Sequence, residues 1–140
     1  MSDCLLCRLV SGEAERTLVY EDDRCVGVLD LYPVTPGHTL LVPRSHAAML
    51  ADLDVLDGER LFAVGQRIAA GLYGCGLRCE GINFFLADGE AAGQEVGHVH
   101  LHVLPRFRGD PFRIDREGGW QEATRSELER IGRKIREALG

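Results

Sequence analysis

The stretch His98-Val99-His100-Leu101-His102-Val103-Leu104, followed by Pro105 and Arg106, decides the reading of this chain. Side chains on a strand alternate between faces, so a strand here puts His98, His100 and His102 on one side and Val99, Leu101 and Val103 on the other. The apolar side seals the sheet against a helix. The other side carries three imidazoles in a row, spaced by about 7 Å per two residues. A lone histidine is usually structural, but three in alternation can bind a metal, relay protons or attack an electrophile near neutral pH. Pro105, which has no backbone N–H, is expected to end the strand.

Outward from that strand, the chain alternates short β-prone runs with two helical patterns. Leu18 to Tyr20 and Cys25 to Leu29 read as a hairpin around the polar stretch 21–24. After a loop marked by Pro33, Pro36 and Gly37, Thr39 to Val42 reads as a third strand stopped by Pro43. Leu61, Ile68 and Leu72, with Gly65 and Ala69 between them, share one side of a helix ending near Gly74. Ile82 to Leu86 is the fourth strand and the histidine run the fifth. Leu128, Ile131, Ile135 and Leu139 recur at helical intervals behind a Ser126/Glu129 capping box, predicting a terminal helix over about 124–139. Leu5 to Val10 is either a helical turn or a knuckle closed by Cys4 and Cys7. The connections suit antiparallel neighbours, so the expected architecture is α+β: one antiparallel sheet of about five strands, one main packing helix and a C-terminal helix, in one domain over 1–140.

Composition narrows the function classes. With 140 residues, 45% hydrophobic, 27% charged and a net charge of −6, the chain reads as a soluble globular domain. The acidic balance argues against a nucleic acid polymer as partner, and no stretch is apolar enough for a membrane. Arg106, Arg108, Arg113 and Arg116 form one local basic group that either faces an anion or stays solvated. Met1-Ser2-Asp3-Cys4 lacks the basic start and long apolar centre of a secretory signal, so a cytoplasmic location is expected. Five cysteines in a reducing compartment read as thiols or metal ligands. Cys4 and Cys7, in CxxC spacing, supply half of a zinc site. Cys75 and Cys79 are one candidate second half; Cys4 and Cys7 as simple thiols are the bland alternative.

The histidine run matches every position of His-φ-His-φ-His-φ-φ, with φ apolar, and the chain resembles the histidine triad family. The resemblance extends through Ala92-Gly93-Gln94, Gly81-Ile82-Asn83, Asp30, Pro36-Gly37-His38-Thr39 and Val42-Pro43-Arg44-Ser45-His46. It implies a nucleotide hydrolase or transferase whose middle histidine, here His100, attacks an α-phosphorus. Neutral imidazole is a competent nucleophile and later a good leaving group. For one nitrogen of His100 to attack, the other must donate its proton, and a carbonyl of the same strand is the expected acceptor. By the same resemblance His102 bonds a phosphate oxygen or helps protonate the leaving group, and Gln94 contacts phosphate or leaving group. Asn83 joins the substrate-binding set. Asp30 holds the ribose hydroxyls or is a turn residue before Pro33. Leu6, Leu9, Val28 and Leu31 wall the base or are ordinary core. Triad proteins with an N-terminal CxxC imply His46 and His98 as the other two ligands of a structural zinc, which makes His98 a strut for His100. A homodimer is implied as well.

Two departures from the family bear on activity: Ala87 stands where many relatives have Asn, and Glu95 where a Ser or Thr follows the Gln. A carboxylate cannot donate to phosphate and repels it, so Glu95→Ser is expected to act faster unless Glu95 points away. Gly97 replaces a larger residue. The expected substrate is a purine nucleotide or nucleoside phosphoramidate. The alternatives are a dinucleoside polyphosphate hydrolase, a nucleotide-binding regulatory module with little turnover, or a catalytic metal held by the three histidines.

Overall fold

In the computed structural model, residues 3–114 and 119–140 are described. They form α1 (Leu5–Ser11), β1 (Leu18–Glu21), β2 (Cys25–Leu29), β3 (Thr39–Pro43), α2 (Val55–Gly74), β4 (Gly81–Phe85), β5 (Leu101–Arg106) and α3 (Arg125–Leu139), with short 3-10 turns at Leu50–Asp52 and Glu90–Ala92. The strands make one antiparallel sheet in the order β1-β2-β3-β5-β4, the expected α+β architecture. Among the described residues no helix is long and apolar enough to cross a membrane.

Period-two patterning covers the sheet on both faces. Cys25, Leu41, Val99, Leu101 and Val103 pack against Leu61, Val64 and Leu72 of α2. Val26, Val28, Leu40 and Val42 face the other way, against Leu6 and Val10 of α1. Full burial of each such side chain stabilises the fold by about 1.5–3 kcal/mol. The β1–β2 turn is held by Asp22, which accepts from the backbone N–H of Arg24 and Cys25 at 2.8 Å each and from Tyr20 Oη at 2.6 Å. Asp22 also takes Arg60 of α2 at 2.8 Å, pinning the hairpin to the helix. Asp54 caps α2 by accepting the Leu56 N–H.

Three boundaries differ from the sequence expectation. β5 starts at Leu101, not His98, because β3 pairs with it only from Leu41↔Leu101 onward. Before that point Val99 donates to the Ala47 carbonyl and the Pro43 carbonyl is taken by the His98 ring. Pro105 lies inside the strand, opposite Ile82. Its carbonyl accepts from Thr35 Oγ1 at 2.6 Å, on the side β3 does not reach. A residue's N and C=O point to the same side of a strand, so the missing N–H interrupts no ladder. The cap of α3 is Thr124, whose Oγ1 accepts from the Glu127 N–H, and not Ser126, which lies within the helix.

Gly37 sets up the entry to β3. Its φ is +94°, and an added Cβ would stand 2.9 Å from Leu77 Cδ1. Both facts require glycine, and the turn they permit delivers His38 to the sheet.

Candidate active site and metal centre

The three histidines of the run reach different surroundings. His100 Nδ1 donates to the His98 carbonyl at 2.8 Å, an acceptor that lies just before β5, and this leaves the lone pair on Nε2. His100 is partly exposed, and its ring centroid lies 5.0 Å from that of His102. His102 Nδ1 is 2.8 Å from Nε2 of His38, and the Phe85 ring packs against it at 5.7 Å between centroids, inclined by 64°. Burial, and next the neighbouring imidazoles of His100 and His38, which disfavour a further positive charge here, push His102 down to about 4 against the pull of Asp30. At pH 7 the ring is therefore neutral.

His98 is fully buried, its ring engaged by Pro43, the two cysteines and His46. Its Nε2–H donates to the Pro43 carbonyl at 2.9 Å, which leaves Nδ1 as a lone pair. That nitrogen is 3.5 Å from Cys4 Sγ, 3.4 Å from Cys7 Sγ and 3.2 Å from His46 Nδ1, and Cys7 Sγ is 3.3 Å from His46 Nδ1. Tetrahedral zinc with bonds of about 2.0–2.3 Å has ligand–ligand edges of about 3.3–3.6 Å between nitrogen and sulfur donors. The four side chains therefore fit such an ion. The CxxC is at once knuckle and helix start: Cys4 is the N-cap of α1, its Sγ accepting the Cys7 N–H at 3.4 Å. The rival set fails among the described residues, because Cys75 and Cys79 join no metal-holding cluster and donate to the carbonyls of Leu72 and Gly81. Cys25 is sealed in the core, where burial pushes its thiol up to about 12 and makes it inert.

A second cluster, Asp30, His38 and His102, also has metal-ligand spacing. Its hydrogen bonds argue against that use. His38 Nδ1 accepts the Val34 N–H at 3.1 Å, so the neutral ring keeps its proton on Nε2, the atom a metal would need. In the first cluster the proton sits away from the shared centre.

The remaining residues singled out from sequence fall into three groups. Asp30 lies beside the histidines, with Oδ2 3.5 Å from His38 Nε2 and Oδ1 accepting the Tyr32 N–H at 2.8 Å. It is thus also the turn residue before Pro33. Gln94 braces its loop: Oε1 accepts the Gly89 N–H at 2.7 Å, and Nε2 donates to the Ala48 and Val96 carbonyls. Asn83 Oδ1 accepts from Arg106, whose guanidinium forks onto buried Asp110. Arg106 is therefore neither solvated nor free for an anion, and Arg113 also bonds the Asp110 carbonyl; Arg116 lies outside the described residues. Leu6 and Val28 are core under α1, Leu9 packs at the edge of that cluster, and Leu31 is 84% exposed on its loop. His38 is the residue to which sequence reasoning gave no role. Its only signal was position, directly after the obligatory Gly37 and at the head of β3.

Residues 11–109 match the family model described as HIT domain. This chain belongs to the HIT family. An uncharacterized HIT-like protein of Mycobacterium tuberculosis is 38% identical over 136 residues, covering 97% of this chain and 92% of the relative. Two solved structures are similar. One is a zinc-bound histidine triad family protein from Mycobacterium smegmatis, at TM-score 0.76 and 39% identity over 98% of this chain and 95% of that one. The other is a histidine triad nucleotide-binding protein from Candida albicans, at TM-score 0.84 and 25% identity over 98% and 97%.

In this HIT chain the two unusual positions have different surroundings. Ala87 is buried. Glu95 is exposed and, with Cys4, Cys7 and His46, lines an open cleft of about 690 Å³ on the metal side. Neither His100 nor His102 lines that cleft. Residues 94–100 are not strand, and Glu95 lines this cleft.

Proposed function

We propose that this HIT protein is a nucleotidyl hydrolase that acts on the α-phosphate of a purine nucleoside phosphoramidate through a covalent nucleotidyl-His100 intermediate. The observation that carries this is the polarity of His100: with Nδ1–H committed to the His98 carbonyl, Nε2 offers its lone pair at a partly exposed position. In the first step Nε2 bonds to the α-phosphorus as the bond to the leaving amine breaks and that amine takes up a proton from solvent. In the second, water attacks the phosphorus and returns a proton to solvent, the N–P bond breaks, and nucleoside monophosphate leaves with His100 restored. His102, neutral at pH 7, serves better as hydrogen-bond donor to a non-bridging phosphate oxygen than as a strong acid. Asp30, partly exposed at the rim, is suited to accept from two ribose hydroxyls.

Cys4, Cys7, His46 and His98 would hold a zinc ion, with all four positions filled by protein and none left for substrate. Bound there, zinc would supply structural tethering of α1 to the loop before β5, not Lewis acidity. A homodimer is proposed on the exposed apolar stripe of α3, Leu128, Ile131, Ile135 and Leu139, which a second copy would cover. Sedimentation of the full chain tests it.

The test of function is rapid quenching with adenosine phosphoramidate followed by mass spectrometry of the intact chain. A nucleotidyl adduct that maps to His100 and is absent in His100→Ala is expected. Tight binding without an adduct would make the protein a binding module instead. Faster turnover of dinucleoside polyphosphates than of phosphoramidates would shift the substrate class.

A further inference from the structure

His38 lies between Asp30 and His102, and the mechanism above leaves it without a task. It is 4% exposed, and both its ring nitrogens are engaged. Nδ1 faces the Val34 backbone N–H at 3.1 Å and Nε2 faces His102 Nδ1 at 2.8 Å. A backbone N–H only donates, so His38 Nδ1 is an acceptor and the one proton of the neutral ring is on Nε2. That proton is given to His102, whose Nδ1 must then accept. The one proton of neutral His102 is left on its Nε2, which has no partner among the described residues.

We infer that His38 is a positioning residue that fixes the tautomer of His102, so that an N–H donor, not a lone pair, stands beside the nucleophile. This rests on the proposed reaction at His100 and adds to it the origin of the donor. The need is chemical. Phosphate oxygens accept hydrogen bonds, and a second imidazole lone pair facing them would repel the substrate. An isolated imidazole divides its proton between two nitrogens; the Val34–His38–His102 chain removes that choice, and its anchor is a main-chain amide that cannot change polarity.

The same chain opposes protonation of His102. A second proton on that ring would sit on Nδ1 and point at the His38 N–H across 2.8 Å. The groups facing His102 are His100 on its own strand, His38 and Asp30 from the β2–β3 segment, and the Phe85 ring from β4; its β3 partner Leu40 is apolar. Asp30 alone favours the cation. Burial and the two neighbouring imidazoles outweigh it, and His102 stays neutral.

Long-range proton–nitrogen spectra of the ¹⁵N-labelled full chain, loaded with zinc at pH 7.5, read the tautomers directly. His38 and His102 should both carry their proton on Nε2. In His38→Ala, His102 should show a mixture of tautomers and titrate at least one pH unit higher, with kcat down roughly tenfold to a hundredfold and KM within threefold. His38→Gln places an amide N–H near the lost Nε2–H and should restore the single tautomer and most of kcat. A wild-type His102 protonated on Nδ1 overturns the inference, as does a His38→Ala chain whose tautomer and titration are unchanged. If His38→Ala does not fold, the wild-type and His38→Gln spectra decide. Absence of a His100 adduct would remove the reaction and leave the tautomer result standing.

Discussion

The carbonyl of His98 accepts the Nδ1–H of His100 at 2.8 Å, while the ring of the same His98 turns its own Nδ1 to Cys4, Cys7 and His46. One residue thus joins the metal-type cluster to the orientation of His100, the proposed nucleophile, through main chain on one side and side chain on the other. Outer partners of this kind set tautomer and angle in metal sites. Here the arrangement is extended by one residue pair, from the cluster into the proposed active site.

Cys7→Ser should therefore lose both metal and stability. Elemental analysis of the full chain is expected to give about one zinc per chain, falling to near zero in Cys7→Ser and staying unchanged in Cys75→Ser. Metal present at a hundred times its dissociation constant stabilises a folded protein by about 3 kcal/mol, so Tm should fall by roughly 10 °C. Full zinc content in Cys7→Ser would show that the four side chains do not form the site.

Glu95→Ser tests the other side of that cluster. Sequence alone suggests relief of repulsion at the phosphate and a faster enzyme. With Glu95 exposed on the metal-side cleft, which neither His100 nor His102 lines, kcat/KM should instead stay within about twofold of the parent, since solvent and salt weaken the reach of an exposed charge. A rise of tenfold or more in steady-state assays would mean that Glu95 swings to the phosphate in the bound state.

What the sequence made legible was whatever local pattern controls. β2, with Val26 and Val28 alternating against Cys25 and Gly27, was read with its full span, and the end of α2 at Gly74 followed from helical spacing and glycine. Period two also sorted Val99, Leu101 and Val103 from the histidines correctly, although the strand itself begins only at Leu101. That boundary is set by Ala47 and Pro43, some fifty residues away in the chain, and no window around His98 contains them. His38 was unread for the same reason: its partner His102 is 64 residues on. Gln94 and Asn83 stood out by motif, but the backbone groups and the Arg106 that engage them are tertiary neighbours.

Gly37→Ala should destabilise the chain by about 1–3 kcal/mol, although alanine for glycine stabilises by about 0.4–1 kcal/mol where the backbone permits it. The sign is decided by φ of +94° and by Leu77, Leu72 and Pro105, all within 3.2 Å of the added Cβ. Gly97→Ala, with nothing within 4 Å and no left-handed φ, is the matched control and should be neutral or slightly stabilising. Urea denaturation of the pair measures both; equal midpoints would show that the Gly37 turn relaxes without cost.

Acid should weaken the fold in two stages, best followed in the metal-free Cys7→Ser background. Burial lowers His38, His98 and His102 below the ordinary imidazole value, His102 to about 4. Between about pH 6.5 and 4 the unfolded chain binds protons that the folded chain refuses, so stability falls as pH falls through that window, on the order of 2–3 kcal/mol from His102. The second stage belongs to carboxylates. The Arg106 fork and the N–H groups of Phe107 and Phe112 hold Asp110 well below the usual carboxylate range. Its contribution is complete above about pH 4 and is lost as pH falls further toward its folded value. Urea midpoints at pH 7.5, 5 and 3 should descend in order. Asp110→Asn should already be weaker at pH 7.5 and should show a smaller drop from pH 5 to 3, because the charge that acid would neutralise is gone. A midpoint unchanged between pH 7.5 and 5 would mean that the three imidazoles accept protons in the folded chain as readily as in the unfolded one.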